Sequence, residues 1–333
     1  MLRAWIVVAF AYGLCHGQAA PPAAPAAPAQ PAQPRNSPMM IDELKQRLTN
    51  QEASIKARMT RISDELAAMD TTTQKADDWA KEWAGSYYTG DGLGENVSIS
   101  LAPKAGIAFL NYGCMGLYGG DEGDIAEVLP DGLKLKLVFG SANGSFLSER
   151  VYFVKWGELR FLVPDWQMMD FVNRYNEGGY SRSGMFGIAR KTPKGEHPSR
   201  IGLVATVGKP ELPAPYDKLL QEKPIALKVI KVSAPTKRDV TTGVTAHSVA
   251  IEFEGGTGAG VYVGMEFNYP QDLVANSGSV RITRADEKTC TGELTSFLGE
   301  KDNPLLPSVG DTVKTGSTNE ETLRRLQTPP AVK

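Results

Sequence analysis

The hydrophobic and polar positions of the chain follow two different periods. From residue 85 to 139, short apolar runs of period two are cut by glycine at nearly regular spacing. Val97, Ile99 and Leu101 alternate with polar residues, as do Leu133, Leu135, Leu137 and Phe139, and each run predicts a strand with one buried face. Asp91-Gly92 and Asp131-Gly132 precede these runs as hairpin-type turns, so the stretch predicts an antiparallel β-meander. The alternation continues through residues 151–163, where Tyr152, Val154 and Trp156 point one way and Phe161 and Val163 resume the pattern. Asp165 then caps a helix near 165–177 with an apolar face of Trp166, Met169, Phe171, Val172 and Tyr175, ended by Gly178-Gly179. A single helix after such strands is expected to cover one open end of the sheet. Residues 184–190 supply a last strand, completing a domain over 84–208.

Residues 39–83 carry the other period. Ile41, Leu48, Ile55, Ile62, Met69, Ala76 and Trp83 recur every seven residues, and Leu44, Met59 and Leu66 form a second apolar row that drifts between heptad positions. Gln51 and Arg58 stand where strict core positions would fall, which weakens a coiled coil. Thr71 and Gln74 have capping-box spacing and are placed to start a second helix, making a helical hairpin. Two uses remain open for this segment: self-association or contact with other envelope proteins, and packing on the chain's own β-domain.

A proline-punctuated linker at 209–223 precedes a second β-rich region at 224–317. Its runs are 225–232, 248–253, a glycine loop at 255–260, then 261–267, 278–282, 290–297 and 310–315. The glycines feed a β-branched run, which argues for strand-loop-strand and against a phosphate loop opening a helix. The expected fold is mainly β with an N-terminal long helix: an antiparallel meander or small barrel, then a second small β-barrel. The order strand, glycine loop, GVYVGMEF, GSVRIT, GDTVKT resembles the small β-barrel modules of bacterial envelope scaffolding proteins, of the rod-shape scaffold and flagellar outer-membrane assembly type. The resemblance covers residues 223–317 and implies a module that mediates contacts, with no catalytic residues to carry over.

Composition places these elements in a setting. The N-terminus, with Arg3, an apolar run at 4–14 and Gly17-Gln18-Ala19, reads as an export signal over 1–19, too short in its apolar part to span a bilayer. Cys15 raises a lipoprotein reading, but Tyr12-Gly13-Leu14 lacks the usual order of residues before a lipidated cysteine. Residues 20–38 form a Pro/Ala-rich spacer of polyproline type, and 318–333 a tail with a short helix at 319–327. The expectation is a periplasmic or secreted protein, peripheral to a membrane at most. A formal charge of -2 over 333 residues excludes a broad nucleic-acid-binding surface.

No catalytic constellation presents itself, and no catalytic, cofactor-binding or metal-binding residue is assigned. Beyond the leader the histidines are His197 and His247, far apart and without clustered ligands. Gly179-Tyr180-Ser181-Arg182-Ser183 misses the nucleophile elbow by its last residue. Gly90-Asp91-Gly92-Leu93-Gly94 is followed by a strand, unlike a dinucleotide loop. Asp121, Glu122 and Asp124 lack the spacing of an EF-hand and read as a solvated turn. Asn96 and Asn143 head glycosylation sequons. Tyr88, Phe109, Tyr112, Tyr118, Trp156 and Trp166 are candidates to line a ligand cavity, or else to fill a small barrel. Cys114 and Cys290 are either a disulfide pair or two buried free thiols. These observations favour an exported, non-enzymatic cell-envelope protein acting by protein-protein interaction or scaffolding. The alternative is a carrier whose meander encloses a small apolar ligand in the manner of a lipocalin.

Overall fold

A computed structural model describes residues 38–71, 78–90, 94, 96–114, 116–140, 146–176, 188–192, 208–241, 244–268, 279–299 and 307–316. The stretch read as an export leader, most of the expected spacer, residues 72–77, Asn143, 179–183, His197 and the expected tail lie outside them. The chain divides into two compact units. The first holds Met1–Phe153, Arg160–Asp165 and Ala189–Ile201, and the second holds Val154–Leu159, Trp166–Ile188 and Gly202–Lys333.

The first unit is built on eight antiparallel strands closed into a barrel. They are β1 (Gly85–Gly90), β2 (Asn96–Ala102), β3 (Gly106–Gly113), β4 (Gly116–Leu129), β5 (Gly132–Leu137), β6 (Arg150–Trp156), β7 (Leu159–Pro164) and β8 (Ala189–Lys191). Each strand neighbours the next in sequence, and β8 pairs with β1 to close the ring. The sequence alternation sets the faces. Tyr87, Ile99 and Phe109 lie opposite one another across β1, β2 and β3, and all are buried in the barrel core with Val97, Leu101, Ile107, Leu133, Val151, Phe153 and Leu162. The residues one step along, Tyr88, Ser98 and Leu110, take the outer face.

Two helices belong to this unit. In α1 (Pro38–Thr71), Ile55 and Ile62 are fully buried against Ala102 and Ala108 of the outer barrel wall, with Met59, Leu66, Leu110 and Phe139 around them. In α2 (Asp78–Trp83), Trp83 stacks on Phe153 at 4.4 Å between ring centroids and Trp79 at 6.2 Å, joining the barrel core. Among the described residues, no helix is long and apolar enough to cross a membrane.

The second unit contains β9 (Ala226–Val232), β10 (Thr236–Thr241), β11 (Val244–Glu254), β12 (Glu266–Asn268), β13 (Ser279–Ala285), β14 (Thr289–Gly299) and β15 (Thr312–Lys314). The pairing order β9-β11-β14-β13-β12-β15 returns to β9 and closes a six-stranded barrel, with β10 joined to β11 outside the ring. Leu227, Val229, Val249, Ile251, Phe253, Met265, Phe267, Val280, Ile282 and Val313 fill it. The expected strand over 261–267 shrinks to β12. A 3-10 turn at Thr257–Ala259 and a left-handed Gly264 break the run that its β-branched residues favour.

The helix near 165–177 is present as a 3-10 turn, Asp165–Gln167, followed by α3 (Met168–Asn176). α3 groups with the second unit, whereas the sequence placed it in the domain over 84–208. Its polar face decides this, since its asparagines and Asp170 find their partners on the loops and strands of the six-stranded barrel.

Candidate functional site

Among the described residues, buried polar groups gather at the seam between α1 and the outer wall of the first barrel. One face of α1 presents Gln51, Ser54, Arg58 and Glu65 beside the apolar Ile55 and Ile62. Gln51 Nε2 donates to the Gly120 carbonyl at 2.6 Å, and Ser54 Oγ donates to Glu122. Arg58 is the centre: its Nε donates to Glu122 Oε2, and its Nη1 donates to Asp124 Oδ1 at 2.6 Å and to the carbonyls of Ala105 and Gly123, each at 3.0 Å. At the far end, the backbone N–H of Ala105 donates to Glu65 Oε2 at 2.7 Å and that of Lys104 to Oε1 at 3.0 Å. The Arg58 and Glu122 side chains retain only 11% and 4% of their exposure, and they compensate each other in a small cluster with Asp124 on Arg58 and the exposed Arg61 Nη2 4.0 Å from Glu122 Oε2. The hydrogen bond from Arg58 holds the Asp124 carboxyl below the usual carboxylate range.

Glycine permits this close approach at two positions. A Cβ on Gly120 would stand 2.8 Å from Ile55 Cδ1. At Gly106, whose φ is +82°, it would lie 2.2 Å from the Gly123 carbonyl and 2.9 Å from Arg58 Nη1.

The acidic cluster is therefore not a solvated turn. Asp121, Glu122 and Asp124 lie inside β4, and strand alternation separates their tasks. Asp121, opposite Phe109, is fully buried on the inner face and accepts from the backbone N–H groups of Glu122, Phe139 and Gly140 at 2.8–2.9 Å. Glu122 and Asp124 bind Arg58. Asp121 and Glu122 accept from donors of the fold, and Asp124 accepts from Arg58 at the exposed rim of the seam. Among the described residues, no group of three His, Cys, Asp or Glu side chains is placed to hold a metal ion.

The six candidate cavity aromatics are not brought together. Phe109 points into the filled barrel core. Tyr88 and Tyr112 take the outer face, where the Tyr88 hydroxyl donates to Asn96 Oδ1 and the Tyr112 hydroxyl lies 3.2 Å from Ser98 Oγ. Tyr118 sits at a register shift between β3 and β4 and donates to the Gly94 carbonyl at 3.2 Å. Trp156 is fully buried in the second unit, edge-on to Tyr175 at 5.5 Å and Phe171 at 6.3 Å, with Nε1 donating to the Gly208 carbonyl at 3.0 Å. Trp166 is 41% exposed. Adjacent residues of a strand face opposite ways, so aromatics chosen by type alone scatter over both surfaces.

Cys114 and Cys290 do not form the bridge weighed from the sequence; both are free thiols. Cys114 is exposed in the turn between β3 and β4, whereas Cys290 is buried in the six-stranded core, where burial pushes its thiol up to about 11. The chain matches no known protein family, no curated protein and no solved structure.

The second unit has a polar seam of its own. Asn173 Nδ2 donates to the Gly264 carbonyl at 2.8 Å, and its Oδ1 accepts from the Glu266 N–H at 3.2 Å. Asn176 Nδ2 donates to the Leu219 carbonyl and to the Tyr262 hydroxyl at 3.0 and 2.9 Å, and its Oδ1 accepts from the Gln221 N–H. Asp170 accepts from Arg281, which also pairs with Glu266 at 3.2 Å. Beyond the ring, β11 and β14 run on together from Val249↔Leu294 to Val244↔Gly299, and β10 lies along the other side of β11. This makes a three-stranded ribbon continuous with the barrel wall.

Residues that sequence reading passed over are Ser54 and Glu65 in α1 and Asn173 and Asn176 in α3. Gln51 and Arg58 did carry a signal, as polar intrusions at heptad core positions.

Proposed function

We propose that this chain is an exported cell-envelope protein that works through protein-protein contact, as a scaffold or adaptor rather than as a catalyst. The observation that carries the reading is that both barrels are packed with their own side chains, while the second continues into a ribbon whose outer strands offer backbone hydrogen-bonding groups. A filled interior favours this reading over a lipocalin-like carrier, which needs an apolar cavity. The apolar stripe of α1 is engaged by the first barrel through Ile55 and Ile62, so contact with partners is better served by the second unit than by residues 39–83. The resemblance of residues 223–317 to envelope scaffold modules, the leader and the spacer support the same setting.

The test combines fractionation with native mass spectrometry. With the leader intact, the chain is expected outside the cytoplasm of a bacterial host, and deletion of residues 2–19 is expected to retain it inside. The purified protein is expected at its sequence mass or multiples of it. A stoichiometric apolar adduct that depends on the first unit would overturn the reading in favour of a carrier, and leader-independent distribution would remove the export.

A further inference from the structure

The second unit is not continuous in sequence. Residues 154–159, at the end of β6 and the turn into β7, and residues 166–188, which include α3, belong to it, but the chain returns to the first unit over 189–201 before the six-stranded barrel begins. The unit is therefore assembled from two pieces. The earlier piece contributes Lys155, whose carbonyl accepts from the Glu211 N–H at 2.7 Å, and Trp156, whose indole donates to the Gly208 carbonyl. It also contributes Asp170, Asn173 and Asn176 of α3, which stand three apart and share one side of the helix. Each of them finds its partners on the later piece: Asp170 on Arg281, Asn173 on Gly264 and Glu266, and Asn176 on Leu219, Gln221 and Tyr262. Both asparagines are buried and use donor and acceptor ends alike. Gly264, with φ at +89°, gives the helix room, since a Cβ there would stand 3.0 Å from Met169 Cγ.

We propose that the six-stranded barrel is a helix receptor, whose seat of Leu219, Gln221, Tyr262, Gly264, Glu266 and Arg281 recognises an amphipathic helix carrying Asp, Asn and Asn at successive steps of three, with α3 as the ligand supplied in cis. The proposal rests on the contact reading above and names the kind of partner that the second unit fits. Purely apolar packing tolerates many registers, whereas amides that give and take hydrogen bonds with particular backbone groups fix one register and one direction. Trp156 lies on the same piece as α3 and packs edge-on to Phe171 and Tyr175, so part of the apolar side of the helix is covered from within that piece. What it turns to the barrel is the polar stripe, the character of an interface between separate bodies.

Cutting the chain between the two pieces turns this contact into a binding equilibrium. A protease site inserted after Gly195 falls in K-T-P-K-G-E-H-P-S-R, residues 191–200, whose composition is that of a loop. After cleavage of the folded full chain, the two products are expected to stay together one to one at micromolar concentration, read by native mass spectrometry, with dilution giving the dissociation constant. Asn173→Ala combined with Asn176→Ala should raise that constant about a hundredfold, whereas Lys134→Ala, in an exposed ion pair of the first barrel, should leave it unchanged. Circular dichroism before cleavage checks the fold of each variant. If the double variant fails that check, Asp170→Asn, which keeps the shape and removes the charge facing Arg281, is expected to weaken association about threefold. Products that part at micromolar concentration, or that hold equally tightly whatever stands at 170, 173 and 176, overturn the proposal. Either result leaves the export and contact reading to its own test, and leader-independent distribution would remove the export without touching the helix seat.

Discussion

α1 on the first barrel and α3 on the second are each held by a seam of apolar and polar contacts, and the two seams solve the problem of buried polarity differently. On the first barrel, α1 buries a formal charge: Arg58 meets Glu122 in a region nearly closed to water, with Asp124 at the rim. On the second, α3 relies chiefly on neutral amides, with Asn173 and Asn176 bonded to backbone groups and the Arg281 pairs half exposed. An amide that loses its partner leaves an unsatisfied dipole, whereas an ion that loses its partner leaves an unsolvated charge. The first seam is therefore the more selective of the two and the more easily broken by a single substitution.

The sharpest way to break the contrast is to remove the cation. Arg58→Ala leaves Glu122 beneath α1 with the exposed Arg61 4.0 Å away in place of a buried guanidinium, and is expected to destabilise the first unit by about 3–5 kcal/mol, read from urea unfolding. The double variant R58M/E122M, which replaces both partners with apolar chains, should recover most of that loss. A single loss no larger than that of an exposed ion pair would show that water reaches the seam. Next in size is Ile62→Ala, which leaves a cavity against Ala102 and Ala108 and should cost about 2–5 kcal/mol. On the other side of the comparison, Asn173→Ala removes a donor from Gly264 and an acceptor from Glu266, for an expected loss of about 1–3 kcal/mol. Should N173A prove as damaging as R58A, the distinction between amide and ion seams would collapse.

How much of this was legible in the sequence differs between the two periods. Val97, Ile99 and Leu101 showed which side of β2 faces inward, and Leu133 and Leu135 did the same for β5, because period two ties a residue's face to its parity. The same parity defeated the aromatic set. Phe109 and Tyr112 differ in parity and lie on opposite faces, and Trp156, at the end of β6, belongs to the second unit, where it packs edge-on to Phe171 and Tyr175. Gln51 and Arg58 were visible as flaws in a heptad, yet their partners are strand residues some 64 to 69 positions away. Asp121 to Asp124 read as a turn because acidic residues beside glycine favour turns. In place, each carboxylate has acquired donors from elsewhere in the fold, and tertiary context overrode propensity.

The smallest expected effect concerns pH and isolates the rim of the ion seam. The hydrogen bond from Arg58, then its charge, holds the Asp124 carboxyl below its ordinary value, while its side chain stays 69% exposed. A carboxylate with a depressed folded value binds fewer protons folded than unfolded, so its contribution is fully present above the unfolded value of about 3.9 and fades as pH falls through the folded one. Solvent screens an exposed partner, which keeps the contribution within that of a surface pair, under about 1 kcal/mol. Asp124→Asn should therefore lower stability slightly at neutral pH, and the difference from the unaltered chain should shrink as pH falls below the unfolded value and through the lower folded one, measured as the urea midpoint from neutral pH downward. A difference that stays constant with pH would assign the loss to packing and would return Asp124 from the ion seam to the ordinary surface of β4.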